Sequence, residues 1–373
     1  SAQAPESQAQ GPRLPSFLEM DEGSDAPEPL FVTREAELAR LEGYLAAALG
    51  GAGQVAFVTG GAGRGKTALL RAFVRHAMAA HPELLVASGA CNAASGVGDP
   101  FLPFREVLGM LTGDVEARWA ARTITREHAR RLWEAVAETL PEFVAHGPHL
   151  VDAFVPGAGL LARAEQAGLA GDGWLAELRS LTGRTGGSGL AQQALFQQVT
   201  NVLQAVVVKH PLLLLIDDLQ WMDQGSVGLL FHMARRLAGC RILVVGAYRP
   251  DEVTSAAATE ALSLEKVLTE LKRDFGDVWL DLREADAVGG RRFVDAFIDS
   301  EPNRLGESFR EALLGRTGGH ALFTVELLRT LQARGDLVRD EDGAWREGAR
   351  IDWSALPARV EAVISARLER LDE

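Results

Sequence analysis

Apolar runs alternate with helical patterns along the middle of the chain. Four runs are apolar almost throughout, at residues 54–59, 84–88, 212–216 and 242–248. Strands that are apolar on both faces are typical of a parallel sheet covered by helices. Between the runs, apolar residues recur at helical spacing, as at Leu38, Leu41, Leu45 and Leu49. The pattern predicts an α/β sandwich with a parallel sheet, in which residues 278–282 form an amphipathic or edge strand.

The strand signals stop at about residue 284, and helical patterns follow. Helices are predicted near residues 288–299, 305–315, 321–334 and 356–371. Residues 100–190 mix helical pieces with Gly-rich loops, so we interpret them as an irregular helical insertion. Residues 1–29 have no periodicity and are predicted to be a flexible tether, with docking of Leu14, Phe17, Leu18 and Met20 elsewhere on the protein as the alternative. Ser226 is predicted to cap the helix before the last long apolar run.

The composition indicates a folded chain with more than one domain. The chain has 373 residues, of which 47% are hydrophobic, and its net charge is −13. At roughly 100–200 residues per domain, two or three domains are expected. The acidic balance argues against a protein that coats nucleic acid, so direct nucleic-acid binding is not expected of this chain.

Cysteine usage and hydropathy predict a cytoplasmic location. Cys91 and Cys240 are the two cysteines of the sequence, which excludes a disulfide scaffold and favours a reducing compartment. No apolar run reaches the ~20 residues that span a bilayer, so no membrane partner is expected. The sequence starts without a methionine or a signal pattern, and we interpret it as a piece of a longer protein or as a processed product.

A phosphate-binding pattern follows the first predicted strand. Residues 60–67 have the Walker A spacing, with Gly60, Gly65, Lys66 and Thr67. Glycines let backbone amides surround phosphates, and the amino end of the next helix adds its positive dipole end. Lys66 is expected to reach the β- and γ-phosphates, and Thr67 to ligate Mg²⁺. The other residues expected to contact the nucleotide are Gly61, Ala62, Gly63, Arg64 and Ala68. The predicted cofactors are ATP or ADP with Mg²⁺.

The run at residues 212–216 ends at two acids, Asp217 and Asp218. A carboxylate at the tip of a buried strand beside the phosphate loop is the Walker B arrangement. Asp217 would hold Mg²⁺ through water, and Asp218 would polarise the attacking water. Adjacent acids repel each other, so a cation or separate orientations must stabilise them. A turn or a helix cap is the alternative interpretation of the pair.

Arg249 directly follows the run at residues 242–248. The carboxyl ends of parallel strands face the ligand crevice, so an arginine there can sense the γ-phosphate. A surface arginine before a loop is the alternative. With this role, Arg249 joins Lys66 and Asp218 in the predicted catalytic set.

Four segments together resemble the STAND class of P-loop ATPases, a branch of the AAA-like group. The resemblance is to the ATPase module of large bacterial LuxR-type transcriptional regulators and cyclase-linked regulators. The segments are residues 31–38, 60–67, 216–223 and 317–328. The string Asp-Asp-Leu-Gln-Trp-Met-Asp, at residues 217–223, is the most specific part. The resemblance covers roughly residues 30–370 and is an associational argument for function.

The resemblance also implies a domain organisation. It implies a P-loop NTPase domain over residues 30–284, with the insertion at about 100–190, and a helical lid domain over residues 285–350. Residues 351–373 would be the truncated start of a winged-helix domain. The residues that it places near the base are Phe31, Val32, Arg34 and Ala321. This chain departs from the family pattern where His320 and Ala321 replace Asn and Pro.

The function implied by the resemblance is a signal-transduction switch. ATP would stabilise an open, self-associating state and ADP a closed one, and slow hydrolysis would reset the switch. Effector and sensor domains of the longer protein would be the partners, with transcription as one output. The alternative is a DNA-stimulated motor or loader, for which three basic pairs leave room, at residues 130–131, 235–236 and 291–292. A small-molecule kinase is a third hypothesis, for which no acceptor site is visible.

Overall fold

The computed structural model describes residues 12–19, 34–92, 100–169, 173–183, 192–256, 263–348, 351 and 353. Five strands form one parallel sheet in the order β2-β3-β4-β1-β5. They are β1 (Gln54–Thr59), β2 (Leu85–Ala90), β3 (Leu212–Asp217), β4 (Ile242–Tyr248) and β5 (Trp279–Asp281). The three-residue β5 pairs with β1 at the sheet edge. The parallel sheet with helices on both faces confirms the predicted α/β fold class.

Each central strand is buried on both faces, which explains its continuous apolar sequence. In β3, Leu212 and Leu214 pack into the core on one face of the sheet, and Leu213 and Leu215 into the core on the other. Successive side chains of a strand point to opposite faces, so a strand with a core on each side needs apolar residues throughout.

Helices surround the sheet and build the insertion. The helices before β4 are α1 (Ser16–Glu19), α2 (Glu35–Leu49), α3 (Lys66–Ala80), α4 (Leu102–Leu111), α5 (Glu116–Ala120), α6 (Arg126–Glu134), α7 (Val136–His146), α8 (Gly157–Gln166), α9 (Gly173–Leu181), α10 (Gln192–Lys209) and α11 (Gln224–Ala234). After β4 come α12 (Pro250–Ala256) and α13 (Leu264–Phe275). None of the helices in the described part of the chain is long and apolar enough to cross a membrane.

Helices α4 to α9 form the insertion, which covers the outer edge of β2. The Nε2 atom of His128, in α6, lies 2.8 Å from the carbonyl oxygen of Val86 in β2. Burial lowers the pKa of His128, which favours a neutral ring whose N–H donates to that carbonyl. The insertion thereby satisfies backbone on the open side of an edge strand.

Residues 12–19 depart from the prediction that residues 1–29 are a flexible tether. Phe17 is buried in the core that the insertion shares with the sheet. The indole Nε1 of Trp133 donates a 2.7 Å hydrogen bond to the carbonyl oxygen of Arg13. Phe17 and Leu18 are both buried, as in the alternative in which these apolar residues dock. The docking site is created by the insertion, so the local sequence does not show where they dock. The rest of the predicted tether lies outside the described residues.

Residues 282–348, here called the C-terminal helical region, have a core of their own. The region contains α14 (Leu282–Ile298), α15 (Glu307–Thr317), α16 (Ala321–Arg334) and a hairpin of β6 (Leu337–Arg339) and β7 (Trp345–Glu347). Its core includes Val294, Phe309, Leu313 and Leu331. Leu282, the first residue of α14, packs instead into the sheet core that contains Leu213 and Leu215. Helix α14 therefore connects the sheet to the C-terminal helical region. The predicted winged-helix start at 351–373 lies almost entirely outside the described residues.

The insertion packs closely on the sheet at Gly89 in β2, and a substitution at this position tests that packing. A Cβ at Gly89 would lie 2.1 Å from the carbonyl oxygen of Pro103, in the first turn of α4. Gly89→Ala should therefore lower the free energy of unfolding, measured by urea denaturation, by about 1–3 kcal/mol or more. The control is Gly43→Ala in the exposed middle of α2, where a Cβ would meet no described atom within 4 Å. It should raise stability by about 0.5–1 kcal/mol. Equal stability of the two variants would contradict this packing.

Candidate functional site

The carboxyl edge of the sheet brings three predicted elements together. Strands β1, β4 and β3 are adjacent and parallel, so they end side by side. The segments that follow them begin with Gly60 after β1 and Arg249 after β4, and β3 ends at Asp217. Residues far apart in sequence therefore meet at one edge, as expected for a ligand crevice in a parallel sheet.

The loop at residues 60–67 has the backbone form that its glycines permit. Gly63 and Gly65 have φ values of 70° and 85°, in the left-handed region, and α3 starts at the next residue, Lys66. The Lys66 ammonium Nζ donates to the carbonyl oxygens of Gly60 at 2.9 Å and Gly61 at 3.1 Å. The lysine thus lies over the loop, at the amino end of a helix, where phosphate groups bind in such loops.

The electrostatics of Lys66 favour a bound anion. Burial lowers the pKa of Lys66, and the positive charge of Arg249 acts in the same direction. The negative charges of Asp217 and Asp218 oppose the shift. A buried ammonium beside another cation is stabilised by an additional negative group, which a phosphate would supply.

The two acids at the end of β3 have separate orientations. Asp217 Oδ2 accepts a 3.3 Å hydrogen bond from Thr67 Oγ1, and its Oδ1 accepts one of 2.8 Å from the backbone N–H of Asp218. Asp218 has φ 56° and ψ 42°, in the left-handed region. It precedes the short 3-10 turn Leu219–Trp221, and its side chain makes no capping hydrogen bond to the described residues there. Asp218 therefore does not act as a helix cap among the described residues.

The pair Thr67 and Asp217 fits a divalent cation. Burial raises the pKa of Asp217, and the charge of Asp218 adds to the effect. Hydrogen bonds from the Asp218 amide and Thr67, together with Lys66, lower it. A hydroxyl and a carboxylate next to each other are oxygen ligands of the kind that Mg²⁺ uses beside phosphates, and a cation would relieve the repulsion between the acids.

Asp223, rather than Ser226, caps the helix after the acids. Asp223 is the N-cap of α11, and its Oδ1 accepts a 3.0 Å hydrogen bond from the backbone N–H of Ser226. Its Oδ2 accepts from the backbone N–H of Phe101 at 3.2 Å, which ties the start of the insertion to the same turn. The prediction for Ser226 was wrong because the helix begins two residues earlier, at Gln224, so the amide of Ser226 is itself the free group that Asp223 caps.

Arg249 and Gln220 connect the end of β4 to the acids. Arg249 Nη1 lies 2.7 Å from Glu252 Oε1 in α12, so an ion pair holds the guanidinium. The backbone N–H of Arg249 donates to Gln220 Oε1 at 3.1 Å, and Gln220 Nε2 donates to Asp218 Oδ1 at 2.8 Å. Arg249 lines the same cavity as Lys66, as the sequence predicted, and Gln220 was not assigned a role.

A cavity of about 430 Å³ lies between this edge and the C-terminal helical region. The predicted site residues that line it are Arg34, Ala62, Gly63, Arg64, Gly65, Lys66, Thr67, Ala68, Asp217, Asp218, Arg249 and Ala321. Gly60 and Gly61 contact the cavity-lining Lys66 through their carbonyls. Phe31 and Val32, which the resemblance places near the adenine, lie outside the described residues. The site therefore collects every predicted residue that can be placed.

The C-terminal helical region touches the phosphate loop directly. The backbone N–H of Leu322, in the first turn of α16, donates a 3.2 Å hydrogen bond to the carbonyl oxygen of Gly63. A Cβ at Gly63 would lie 2.6 Å from Leu322 Cβ, so only glycine allows this approach without a shift. The tip of the loop and the start of α16 thus form one contact.

Several cavity residues were not found from the sequence. Phe293 and Phe297 of α14 stack with ring centroids 5.8 Å apart, and both line the cavity. Arg329 of α16 also lines it and forms a 3.2 Å ion pair with Glu326. Spacing of three or four residues places each set on one helix face. That spacing was visible, but it does not reveal which partner the face meets.

Comparison with known proteins gives one family match. A family model described as "AAA ATPase domain" matches residues 30–245, which is more than half of the chain. No curated protein that was compared with the chain matches it.

Solved structures match with low identity. Cdc6p from Pyrobaculum aerophilum is 12% identical over 86% of this chain and 67% of that chain, with a TM-score of 0.41. A Drosophila ORC structure bound to AT-rich DNA and Cdc6 is also 12% identical, covering 91% of this chain and 95% of that chain, with a TM-score of 0.28. Likeness at this level says nothing about the function of this chain.

Lys66 is the residue whose loss should affect nucleotide binding most. Lys66→Ala removes the buried ammonium and should lower the affinity for ATP, measured by calorimetry, by about 100-fold or more. The control is Lys209→Ala at the end of α10, where the lysine is half-exposed and faces Glu142. That variant should bind like the parent chain. Unchanged ATP affinity in Lys66→Ala would contradict the assignment of the loop.

Proposed function

Because this chain belongs to the AAA ATPase domain family, we propose that it is an ATP-dependent switch that binds and slowly hydrolyses ATP. The observation that carries the proposal is the contact between the phosphate loop and α16, made by Gly63 and Leu322. The elements that would hold the nucleotide belong to two parts of the chain. A nucleotide that enters between them changes the environment of both.

The lining of the cavity suggests how a nucleotide would be oriented in it. The phosphates would lie on the loop amides and Lys66, and Mg²⁺ would be held by Thr67 and Asp217, where it would neutralise phosphate charge. Asp218 would orient and polarise a water, and Arg249 would sense the γ-phosphate. The base would face the apolar side of the cavity, formed by Phe293, Phe297, Ala321, Leu322 and Val325.

The switch follows from the two-sided construction of the cavity. A ligand shifts a conformational equilibrium only if it binds the two states with different affinity. Here one wall belongs to the sheet edge and the other to the C-terminal helical region, so nucleotide affinity depends on how the two are arranged. ATP and ADP differ at the γ-phosphate, where Lys66 and Arg249 are placed to respond. Residues 285–350 would then act as the lid of the domain formed by residues 30–284.

The STAND resemblance supports a role in signal transduction. The string at residues 217–223 and the motif at residues 317–323 are the segments that favour this class over other AAA ATPases. In this proposal ATP favours an open state that self-associates, and attached sensor and effector domains supply the input and output. Regulation of transcription in the cytoplasm is one such output.

A DNA-stimulated motor is the second candidate. A wide groove of about 770 Å³ between α10 and α11 favours it, since it is lined by Phe196, Phe231, Arg235 and Arg236 among others. The other two basic pairs add little to it, because three of their four arginines face acids. Arg130 lies 2.8 Å from Glu134, Arg131 pairs with Glu127, and Arg291 pairs with Asp295 and Glu307. Together with the net charge of −13, this favours the switch.

The test of the switch is the mass of this chain in solution with Mg²⁺ and either ADP or a non-hydrolysable ATP analogue. The account predicts a monomer with ADP and a larger assembly with the ATP analogue. Lys66→Ala should stay monomeric in both, because it no longer binds the nucleotide.

The test of the motor is ATP turnover measured in parallel reactions with and without DNA. A stimulation of about tenfold or more by DNA, with no change of mass, would favour the motor and contradict the switch.

A further inference from the structure

Gln220 bridges two members of the predicted catalytic set. Its Nε2 donates to Asp218 Oδ1 at 2.8 Å, and its Oε1 accepts from the backbone N–H of Arg249 at 3.1 Å. We propose that Gln220 is a positioning residue for ATP hydrolysis, which fixes the Asp218 carboxylate relative to the end of β4. The inference rests on the proposed ATPase function and deepens it.

A carboxamide is the side chain that can make both bonds. The backbone N–H of Arg249 needs an acceptor, and the ionised carboxylate of Asp218 needs a donor. A glutamine supplies one of each and has one orientation that satisfies both. A glutamate at the position would still accept from Arg249, but it would present a second negative charge to Asp218. A methionine of similar length would make neither bond.

The turn that carries Gln220 is pinned to β4. Leu219 is fully buried, and its Cδ1 occupies the space beside Gly246, where an added Cβ would lie only 2.5 Å away. The preceding residue, Asp218, has the left-handed φ of 56° that starts the turn. Backbone outside the common regions persists only when its surroundings hold it. Leu219 holds the turn by packing against β4, and Gln220 holds it by hydrogen bonds to Asp218 and Arg249.

The bridge reaches the residue that is placed to respond to the γ-phosphate. Arg249 is held at its side chain by Glu252, over 2.7 Å, and at its backbone by Gln220. The orientation of the Asp218 carboxylate is therefore constrained by Gln220, which links it by hydrogen bonds to the end of β4, where Arg249 lies.

The test is a double-mutant cycle on ATP turnover, followed by single-turnover kinetics with Mg²⁺. Gln220→Met should lower kcat by about tenfold and leave KM and the calorimetric ATP affinity within about twofold. Gln220→Glu keeps the volume and the bond to Arg249, so a similar or larger loss in this variant assigns the effect to the side of the bridge that faces Asp218, where the bond is lost and a negative charge is added. The control is Gln224→Met on the exposed first residue of α11, which should turn over ATP like the parent chain.

The cycle separates positioning from a general structural defect. In an Asp218→Ala background, Gln220→Met should change the rate by less than about twofold, since the group it orients is gone. A further tenfold loss in that background would overturn the proposal, as would parental kcat in both Gln220 variants. If the parent chain hydrolyses ATP and Asp218→Ala hydrolyses it at a lower but measurable rate, those results refute the bridge alone. If the parent chain neither binds nor hydrolyses ATP, the proposed function fails together with the bridge.

Discussion

The parallel direction of the strands is the constraint on which the site depends. Strands β1, β3 and β4 lie next to one another and end at the same edge, so Gly60, Asp217 and Arg249 become neighbours although up to 189 positions separate them in sequence. The sheet is stabilised by apolar cores on both of its faces. The chemistry thus sits on rigid strand ends, where side-chain positions are fixed by burial rather than by the loops themselves.

The carboxyl edge of the sheet also holds buried charges that a bound nucleotide and its cation would stabilise. Burial disfavours the charged forms of both Lys66 and Asp217, in opposite directions of pKa. Two cations and neighbouring acids share a small volume, and Arg249 is neutralised by Glu252 rather than by Asp217 or Asp218. Phosphate oxygens would stabilise the buried lysine, and a divalent cation would stabilise the paired acids. The charges of Mg²⁺ and ATP thus complement those of the protein.

The sequence predicted those features of the fold and the site that lie within single contiguous segments. The apolar runs, the glycine loop and the acids after β3 are contiguous segments, and their structure follows from their own residues and spacing. The docking of Phe17, the aromatic wall of Phe293 and Phe297 and the bridge by Gln220 are contacts between distant segments. Helical spacing showed that Phe293 and Phe297 share a face, but only the fold shows that this face lines the same cavity as the phosphate loop. Asp223 was missed as a cap because Ser226 is an equally good capping residue by type, and position decided between them.

The central claim is that the nucleotide alters the contact between the phosphate loop and α16. Hydrogen exchange of the amide of Leu322, which bonds to Gly63 over 3.2 Å, tests it most directly. Exchange is compared between the Mg²⁺ complexes with ADP and with a non-hydrolysable ATP analogue. The account predicts rates that differ by about tenfold or more, a change of about 1.4 kcal/mol in the local opening free energy, while amides of β3 exchange alike in both. Equal exchange at Leu322 in the two complexes would contradict the claim.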